Sequence, residues 1–295
     1  MHILVVGGGM GGTILANNLA RRLSGELEQG SSKITMLSAT DKHMYQPGLL
    51  YVAVGKMSTT ELYRDQKSLL EPSIDFHVDP VEKFDMDNNS VTTKSGKKIS
   101  YDILCIATGS RGNAAGIPGL AENACQFYTE ADALAMYKKL QKFEGGKVVV
   151  ATGVPHKCPM SPLEITFFLV DYFKKRGIWD KVDLHYTYPI GRVHSLEPVA
   201  NWAAPEFDKL GITYETLFNM KEVVPGKVIS EEDSSAEFDL LVTVPPHKGQ
   251  QVIEDNELGA GGFIPTDKKK LNMEGRENVF VLGDTTNLPI SKAGS

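Results

Sequence analysis

The sequence has few cysteines, no long apolar run and no excess of basic residues. The three cysteines, Cys105, Cys125 and Cys158, form no C-x-x-C pair and no zinc-ligand spacing, so we expect neither a metal site nor a disulfide scaffold. No apolar run approaches the roughly 18 residues of a membrane-spanning helix. The net charge of −6 disfavours a nucleic-acid-binding protein, because neutralising phosphates requires a basic surface. These absences exclude several classes of protein before any motif is considered.

The remaining composition is that of an ordinary soluble globular protein. The chain has 295 residues, of which 41% are hydrophobic and 23% are charged, and this length allows two domains. The first predicted strand begins at His2, so we expect no signal peptide before it.

A glycine cluster near the start of the chain is typical of a dinucleotide site. It follows the apolar run 2–6, and Gly7, Gly9 and Gly12 fit the pattern G-x-G-x-x-G. The first glycine allows a tight turn, the second lets a pyrophosphate approach the backbone, and the third lets helix and strand pack closely. The helical spacing that follows predicts a helix N-terminus that attracts phosphate. The predicted second strand ends at Ser38, where such domains often carry an acidic residue for the ribose hydroxyls.

A second α/β region follows the glycine-rich linker 110–119. Residues 129–141 have helical spacing, and residues 147–151 form an apolar strand. The turn after this strand has one glycine and three prolines in place of a second glycine cluster. The sequence therefore predicts a dinucleotide-type domain without its NAD(P)H-binding turn. We interpret residues 45–55 as a packed connector.

Cys158 has the strongest sequence signal for redox chemistry. It lies beside His156 and Lys157 and just before a predicted helix, and both features favour the thiolate. In that helix Ser161 is the expected N-cap, and Glu164 either completes a capping box or acts as an acid–base group. The local signal at Cys125 is modest. Cys105 lies within a buried-type strand and is interpreted as a core residue.

Three separated motifs resemble the two-dinucleotide-domain flavoproteins: the glycine cluster, Ala107-Thr108-Gly109, and Val281-Leu-Gly-Asp284. The resemblance implies an α/β fold of two Rossmann-like (FAD/NAD(P)-binding) domains in tandem, of the glutathione-reductase type. The implied domains are a discontinuous FAD-binding domain, 1–112 and 249–295, and a second domain, 113–248, without the NAD(P)H fingerprint.

Within that superfamily, four segments resemble sulfide:quinone oxidoreductase, namely residues 45–50, 157–164, 244–247 and 291–294. Cys125 and Cys158 match the first two of that family's three key cysteines, and Glu164 matches its acidic residue. The resemblance implies FAD as cofactor, sulfide and a membrane quinone as substrates, and the following cofactor-binding residues: Gly7, Gly9, Met10, Gly11, Gly12, Ser38, Pro47, Val81, Thr108, Gly109, Gly283, Asp284 and Lys292.

The implied reaction begins when sulfide attacks a disulfide or polysulfide bridge at Cys158 and leaves a persulfide. The two electrons then pass through FAD to quinone. Family members usually continue past the point where this chain ends, with a third cysteine, part of the quinone site and helices that dock on the membrane surface. We therefore expect a peripheral membrane location to depend on that segment and the shortened chain to be soluble. A homo-oligomer is left open.

Three alternatives remain at this point. A type II NADH:quinone oxidoreductase shares the fold but needs a glycine-rich turn after residues 148–150. The flavin subunit of flavocytochrome c sulfide dehydrogenase is normally exported, and no export signal is visible here. A non-catalytic FAD-binding or sulfur-carrier fragment would bind flavin without reducing it in the presence of sulfide.

Overall fold

Two regions of the chain pack as separate units in the computed structural model, which describes residues 1–289. The sequence-based domain boundaries placed residues 45–62 in the first domain, whereas the structure packs them in the second unit. Unit 1 comprises residues 1–44, 63–111 and the described chain after 247, and unit 2 comprises residues 45–62 and 112–247.

Half of the described strands form two five-stranded parallel sheets, and the others form small sheets of two or three strands. Within the described chain the strands are β1 (His2–Val6), β2 (Lys33–Ser38), β3 (Lys42–Met44), β4 (Tyr63–Asp65), β5 (Ile74–Val78), β6 (Val81–Asp85), β7 (Ser90–Thr93), β8 (Lys98–Ser100), β9 (Ile103–Ile106), β10 (Ser110–Gly112), β11 (Ala124–Cys125), β12 (Gly146–Thr152), β13 (Val182–Tyr188), β14 (Thr213–Thr216), β15 (Met220–Val224), β16 (Lys227–Ser230), β17 (Ser235–Glu237), β18 (Leu240–Val244), β19 (His247–Gly249) and β20 (Val279–Val281).

The helices are fewer, and none of those in residues 1–289 is both long and apolar enough to cross a membrane. The α-helices are α1 (Met10–Arg22), α2 (Ser24–Glu28), α3 (Gly48–Ala53), α4 (Leu120–Asn123), α5 (Glu130–Lys142), α6 (Ser161–Lys175), α7 (Glu197–Leu210) and α8 (Gln251–Asp255). Single turns of 3-10 helix occupy Thr59–Leu62, Lys67–Leu69, Ala114–Gly116, Trp179–Lys181, Ala260–Gly262 and Gly283–Thr285.

Unit 1 is built around a five-stranded parallel sheet in the order β20-β9-β1-β2-β5. Alternate side chains of β1 point to opposite faces, as the period of a strand requires. Val5 packs towards Ala16 of α1, and Leu4 belongs to a core that includes Val81 and Phe84 of the antiparallel ribbon β6-β7-β8. Both faces of the sheet are thereby covered, which explains the continuous apolar run of β1.

Unit 2 repeats this plan with the sheet order β11-β18-β12-β13-β14, again all parallel. On one face Val149 of β12 joins a core with Val223 and Val228 of the antiparallel ribbon β15-β16-β17. On the other face the ring of Tyr186 lies 5.1 Å from that of Phe207 in α7. The carboxyl ends of all five parallel strands therefore form a single edge of the sheet.

Two local interpretations of the sequence were wrong. Residues 45–55 contain a helix, α3, because Leu49, Leu50 and Val52 are buried there. Ser161 is not an N-cap: the cap position of α6 is Met160, whose side chain makes no capping hydrogen bond. The hydroxyl of Ser161 is already engaged elsewhere, so no capping box involving Glu164 forms.

Candidate active site

The glycine turn, residues 7–12, connects β1 to α1 in unit 1. At two of its positions the neighbouring backbone leaves no room for a side chain. Gly7 has a φ of +118°, and a Cβ there would clash with the carbonyl of Ala107. A Cβ at Gly12 would clash with the carbonyl of Gly7. In contrast, among residues 1–289 no atom beyond the two chain neighbours lies within 4 Å of the position that a Cβ would take at Gly9. The outer two glycines therefore serve packing, and the middle one borders open space.

The N-terminus of α1 adjoins this open space. The N-cap is Gly9, which has no side chain that could cap the helix. Met10 and Gly11 follow it and begin the helix at the surface. The first amides of an uncapped helix attract anions through their N–H groups and the helix dipole. The turn and helix therefore fit the diphosphate of a dinucleotide.

Two further turns lie at the same edge of the sheet of unit 1. Strand register pairs Val6 with Ile106 and Ile106 with Val281, so the ends of β1, β9 and β20 are level. Gly109 and Gly283 follow these ends with φ values of +75° and +62° and open space at their Cβ positions. The structure thus brings together the three motifs that the sequence separates.

Hydrogen bonds join the last two of these turns. The N–H of Gly109 donates to Oγ1 of Thr285 at 2.7 Å, and the hydroxyls of Thr108 and Thr285 are 3.3 Å apart. Ser110 donates to a carboxylate oxygen of Asp284 at 3.2 Å. Asp284 is thereby held at the edge of the sheet, half-buried.

The structure describes three of the four remaining residues that are predicted to bind the cofactor. Ser38 is buried, and its Oγ accepts a hydrogen bond from the N–H of Thr40 at 3.3 Å. Val81 has its side chain in the core of unit 1, which leaves only its backbone for a ligand. Pro47 lies in unit 2 as the cap residue of α3. Lys292 lies outside the described residues.

Cys158 lies in unit 2, in the loop 153–160 that joins β12 to α6. Its thiol is half-buried. Its carbonyl accepts a hydrogen bond from the hydroxyl of Ser161 at 3.0 Å, and that hydroxyl lies 2.6 Å from the hydroxyl of Tyr128. Tyr128 follows Cys125 by three residues, so one chain of contacts connects the segments that carry the two predicted redox cysteines. Tyr128 had no signal in the sequence, because it comes from a distant stretch of chain.

The three cysteines occupy different environments, and all carry free thiols. Cys125 lies on β11, level with Val242 of β18 and Val150 of β12. Burial raises the pKa of the Cys125 thiol. Cys105 lies on β9 in unit 1, where burial raises its pKa to about 12. Cys158 is the most accessible of the three.

Two histidines and a tyrosine lie near the loop that carries Cys158. The hydroxyl of Tyr188 is 3.2 Å from Nε2 of His156, whose Nδ1 is buried and has no partner within the described chain. Burial lowers the pKa of His156 and of His194, so both rings are neutral at pH 7. Burial raises the pKa of Tyr188 to about 12, and the negative charge of a Cys158 thiolate adds to this rise. The sequence analysis missed Tyr188 and His194, because more than one secondary-structure element separates them from Cys158 along the chain.

Glu164 and Lys157 are near Cys158 in the sequence but have different surroundings. Glu164 lies in the first turn of α6, where loss of hydration raises the pKa of its carboxyl group. No hydrogen bond joins it to Cys158 among residues 1–289. The ammonium of Lys157 donates to Oε1 of Gln46 at 2.7 Å. Of the predicted catalytic groups, hydrogen bonds connect the segments of Cys125 and Cys158.

Alkylation should distinguish the three thiols in the folded protein. At pH 8 we expect iodoacetamide to label Cys158 first and Cys105 last, because only the thiolate reacts and burial suppresses it. A thiol pKa of about 12 leaves roughly a thousandfold less thiolate than a value of 9. Peptide mass spectrometry at timed intervals measures the order, with urea-unfolded protein as the control in which the three rates converge. Faster labelling of Cys125 than of Cys158 would contradict the assignment.

Comparison with known proteins agrees with this geometry. The family model described as pyridine nucleotide-disulphide oxidoreductase matches residues 1–293. The mitochondrial sulfide:quinone oxidoreductase of Dictyostelium discoideum is 30% identical over 99% of this chain and 67% of its own, and that of Mus musculus is 27% identical over 100% and 67%. The solved structure of sulfide:quinone oxidoreductase from Aquifex aeolicus has a TM-score of 0.83 and 27% identity, covering 98% of this chain and 69% of that one.

These matches confirm the predicted fold class and resemblance. The chain spans about two thirds of the length of the relatives that it matches. The family and its sulfide:quinone oxidoreductase members are FAD-dependent flavoproteins, in agreement with the predicted cofactor.

Proposed function

The chain belongs to the pyridine nucleotide-disulphide oxidoreductase family, and on that basis we propose that it is an FAD-dependent enzyme that oxidises sulfide at Cys158 and passes the electrons to a quinone. One observation carries the proposal. A half-buried thiol lies in the loop 153–160, where a nicotinamide-binding domain has its glycine turn. A Cβ at Gly153, the only glycine of this loop, would lie 2.5 Å from the ring of Pro246. Pro246 therefore occupies the space that a pyrophosphate would need beside this glycine.

The proposed sulfur chemistry is an exchange at a sulfur–sulfur bond. Hydrosulfide attacks a bridge between Cys158 and a second sulfur; that bond breaks, and a new one forms between the incoming sulfur and Cys158. Cys158 becomes a persulfide, and the second sulfur leaves as a thiolate with the electron pair. Cys125 is our candidate for the second sulfur, because Ser161 and Tyr128 connect its segment to that of Cys158.

Proton transfer is assigned to the groups around this loop. His156 is neutral near pH 7 and can accept a proton as sulfide or thiol ionises. The raised pKa of Glu164 brings its carboxyl group nearer to the pH at which a proton carrier works best. The hydroxyl of Tyr188 holds the ring of His156 through its contact with Nε2.

The cofactor is proposed to bind at the edge of the sheet of unit 1. FAD, when bound, supplies a two-electron acceptor between the thiol chemistry and the quinone. The residues proposed to hold it are Gly7, Gly9, Met10, Gly11, Gly12, Thr108, Gly109, Gly283 and Asp284. The quinone is a lipid-soluble substrate, so we propose that its reduction takes place at a membrane surface.

Anaerobic addition of sulfide to the flavin-loaded protein tests this function. We expect sulfide alone to bleach the flavin absorbance and a soluble quinone to restore it, whereas NADH alone leaves it unchanged. Bleaching by NADH would mean that unit 2 binds a nicotinamide and that the enzyme is an NADH:quinone oxidoreductase. A flavin that neither reductant bleaches would identify a passive FAD-binding protein.

A further inference from the structure

A buried polar network lies directly behind the glycine turn of unit 1. Its centre is Gln66, whose side chain is completely buried. The amide nitrogen of Gln66 donates to the hydroxyl of Thr13 at 2.8 Å, and its Oε1 lies 3.1 Å from Nδ1 of His43. Both ends of a buried amide are thereby satisfied, as burial of a polar group requires.

This network ends on one atom of the glycine turn, the carbonyl oxygen of Gly8. The hydroxyl of Thr13 donates to it at 3.3 Å, and Nδ1 of His43 lies 3.1 Å from it. Because Nδ1 faces two acceptors, the Gly8 carbonyl and Oε1 of Gln66, it carries the ring proton. His43 and Thr13 therefore donate to the same carbonyl.

The position of that carbonyl determines the direction of the next amide. In a trans peptide the C=O of Gly8 and the N–H of Gly9 point in opposite directions. Since the carbonyl is held towards His43 and Thr13, the N–H of Gly9 points away from them. Gly9 is the residue of the turn that borders open space.

We propose that His43 is a positioning residue for cofactor binding: it holds the Gly8–Gly9 peptide so that the N–H of Gly9 faces the diphosphate of FAD. The proposal rests on the proposed cofactor. His43 acts through the peptide and does not touch the ligand. Its contribution is made before the ligand arrives, because the turn need not reorient on binding.

Binding of FAD and of ADP, which share the diphosphate, tests the role. We expect His43→Phe, which keeps a ring but removes the donor, to weaken the affinity of the apoprotein for both ligands by about tenfold. His43→Asn places an amide donor near the position of Nδ1 and should restore binding to within about twofold of the parent. Fluorescence titration measures FAD, and competition measures ADP.

Three further measurements make the result decisive. His77→Phe removes a histidine of the same unit that pairs with Asp75 on β5, and should leave both affinities unchanged. Thr13→Val removes the other donor to the Gly8 carbonyl and should weaken the affinity for ADP several-fold. This variant tests the role of the Gly8 carbonyl if His43→Phe does not fold. The melting temperature of apo His43→Phe should fall by a few degrees because the buried Oε1 of Gln66 loses its donor, and His43→Asn should restore it, so both affinities are measured well below that temperature.

Different negative results reject different parts of the proposal. If the parent chain binds neither FAD nor ADP, the proposed cofactor is wrong. If it binds both and His43→Phe binds them equally well, only the role of His43 is wrong. Weaker binding of FAD with unchanged ADP would also overturn the role, because it would place the effect away from the diphosphate.

Discussion

Cys158→Ser is expected to lower the rate of sulfide-dependent flavin bleaching by a thousandfold or more, while FAD stays bound. The reason is chemical, because an alcohol at this position cannot form the sulfur–sulfur bond on which the proposed exchange depends. The substitution removes little packing, since the side chain is half-buried and similar in size to serine. Stopped-flow absorbance under anaerobic conditions measures the rate, and the flavin spectrum before sulfide confirms loading.

The other two cysteines provide matched controls. Cys105→Ser changes a thiol in the core of unit 1 and should leave the bleaching rate unchanged in the folded fraction of the protein. Cys125→Ser tests the candidate bridge partner and should lower the rate strongly if Cys125 supplies the second sulfur. Retention of the parental rate by Cys158→Ser would reject the sulfide mechanism in this loop, and parental activity in Cys125→Ser would reject only the bridge.

The second large effect concerns the glycine turn. Gly9→Ala is expected to lower FAD affinity by about a hundredfold with no loss of apoprotein stability. Within the described part of the chain, a Cβ at Gly9 meets no atom within 4 Å beyond its chain neighbours, so it projects into the space where the second glycine of the motif lets a pyrophosphate approach. Isothermal titration of apoprotein with FAD, together with its melting temperature, separates the two quantities.

Two neighbouring glycines give the contrast. Gly12→Ala forces a methyl group into the carbonyl of Gly7 and should destabilise unit 1 itself, by about 1–3 kcal/mol or more. Gly11→Ala places its methyl group 4.0 Å from Ala107, an ordinary contact, so the apoprotein should keep its stability. If Gly9→Ala and Gly11→Ala bound FAD as tightly as the parent, the ligand would not lie against this turn.

The loop 153–160 lies where a nicotinamide-binding domain has its glycine turn, and this position supports sulfide rather than NADH as the proposed reductant. Unit 2 retains the parallel sheet and the helix α6 after its third strand in sheet order. The connection between β12 and α6 carries Cys158. Proteins of one fold can carry different functional groups on such a loop, because the sheet that positions the loop is unaffected.

The amino-acid sequence by itself determined the elements whose signals are local. The apolar run before Gly7, the helical spacing of residues 129–141 and the strand that ends before Gly283 are each visible in a short window. The structure begins this helix at Glu130, with Thr129 as an N-cap that accepts a hydrogen bond from the N–H of Asp132. The absence of a glycine cluster after β12 was equally readable, because such a motif is contiguous.

Only the tertiary structure decided which distant residues meet. His43, Gln66 and Thr13 are spread over more than 50 positions. Their contacts exist because β3 pairs with β4, which leads directly to Gln66, and because Gln66 meets Thr13 of α1. Tyr188 lies beside His156 because parallel strands place their carboxyl ends at one edge of a sheet. Local propensity carries no information about such meetings, since they follow from strand order and from the packing of helices over the sheets.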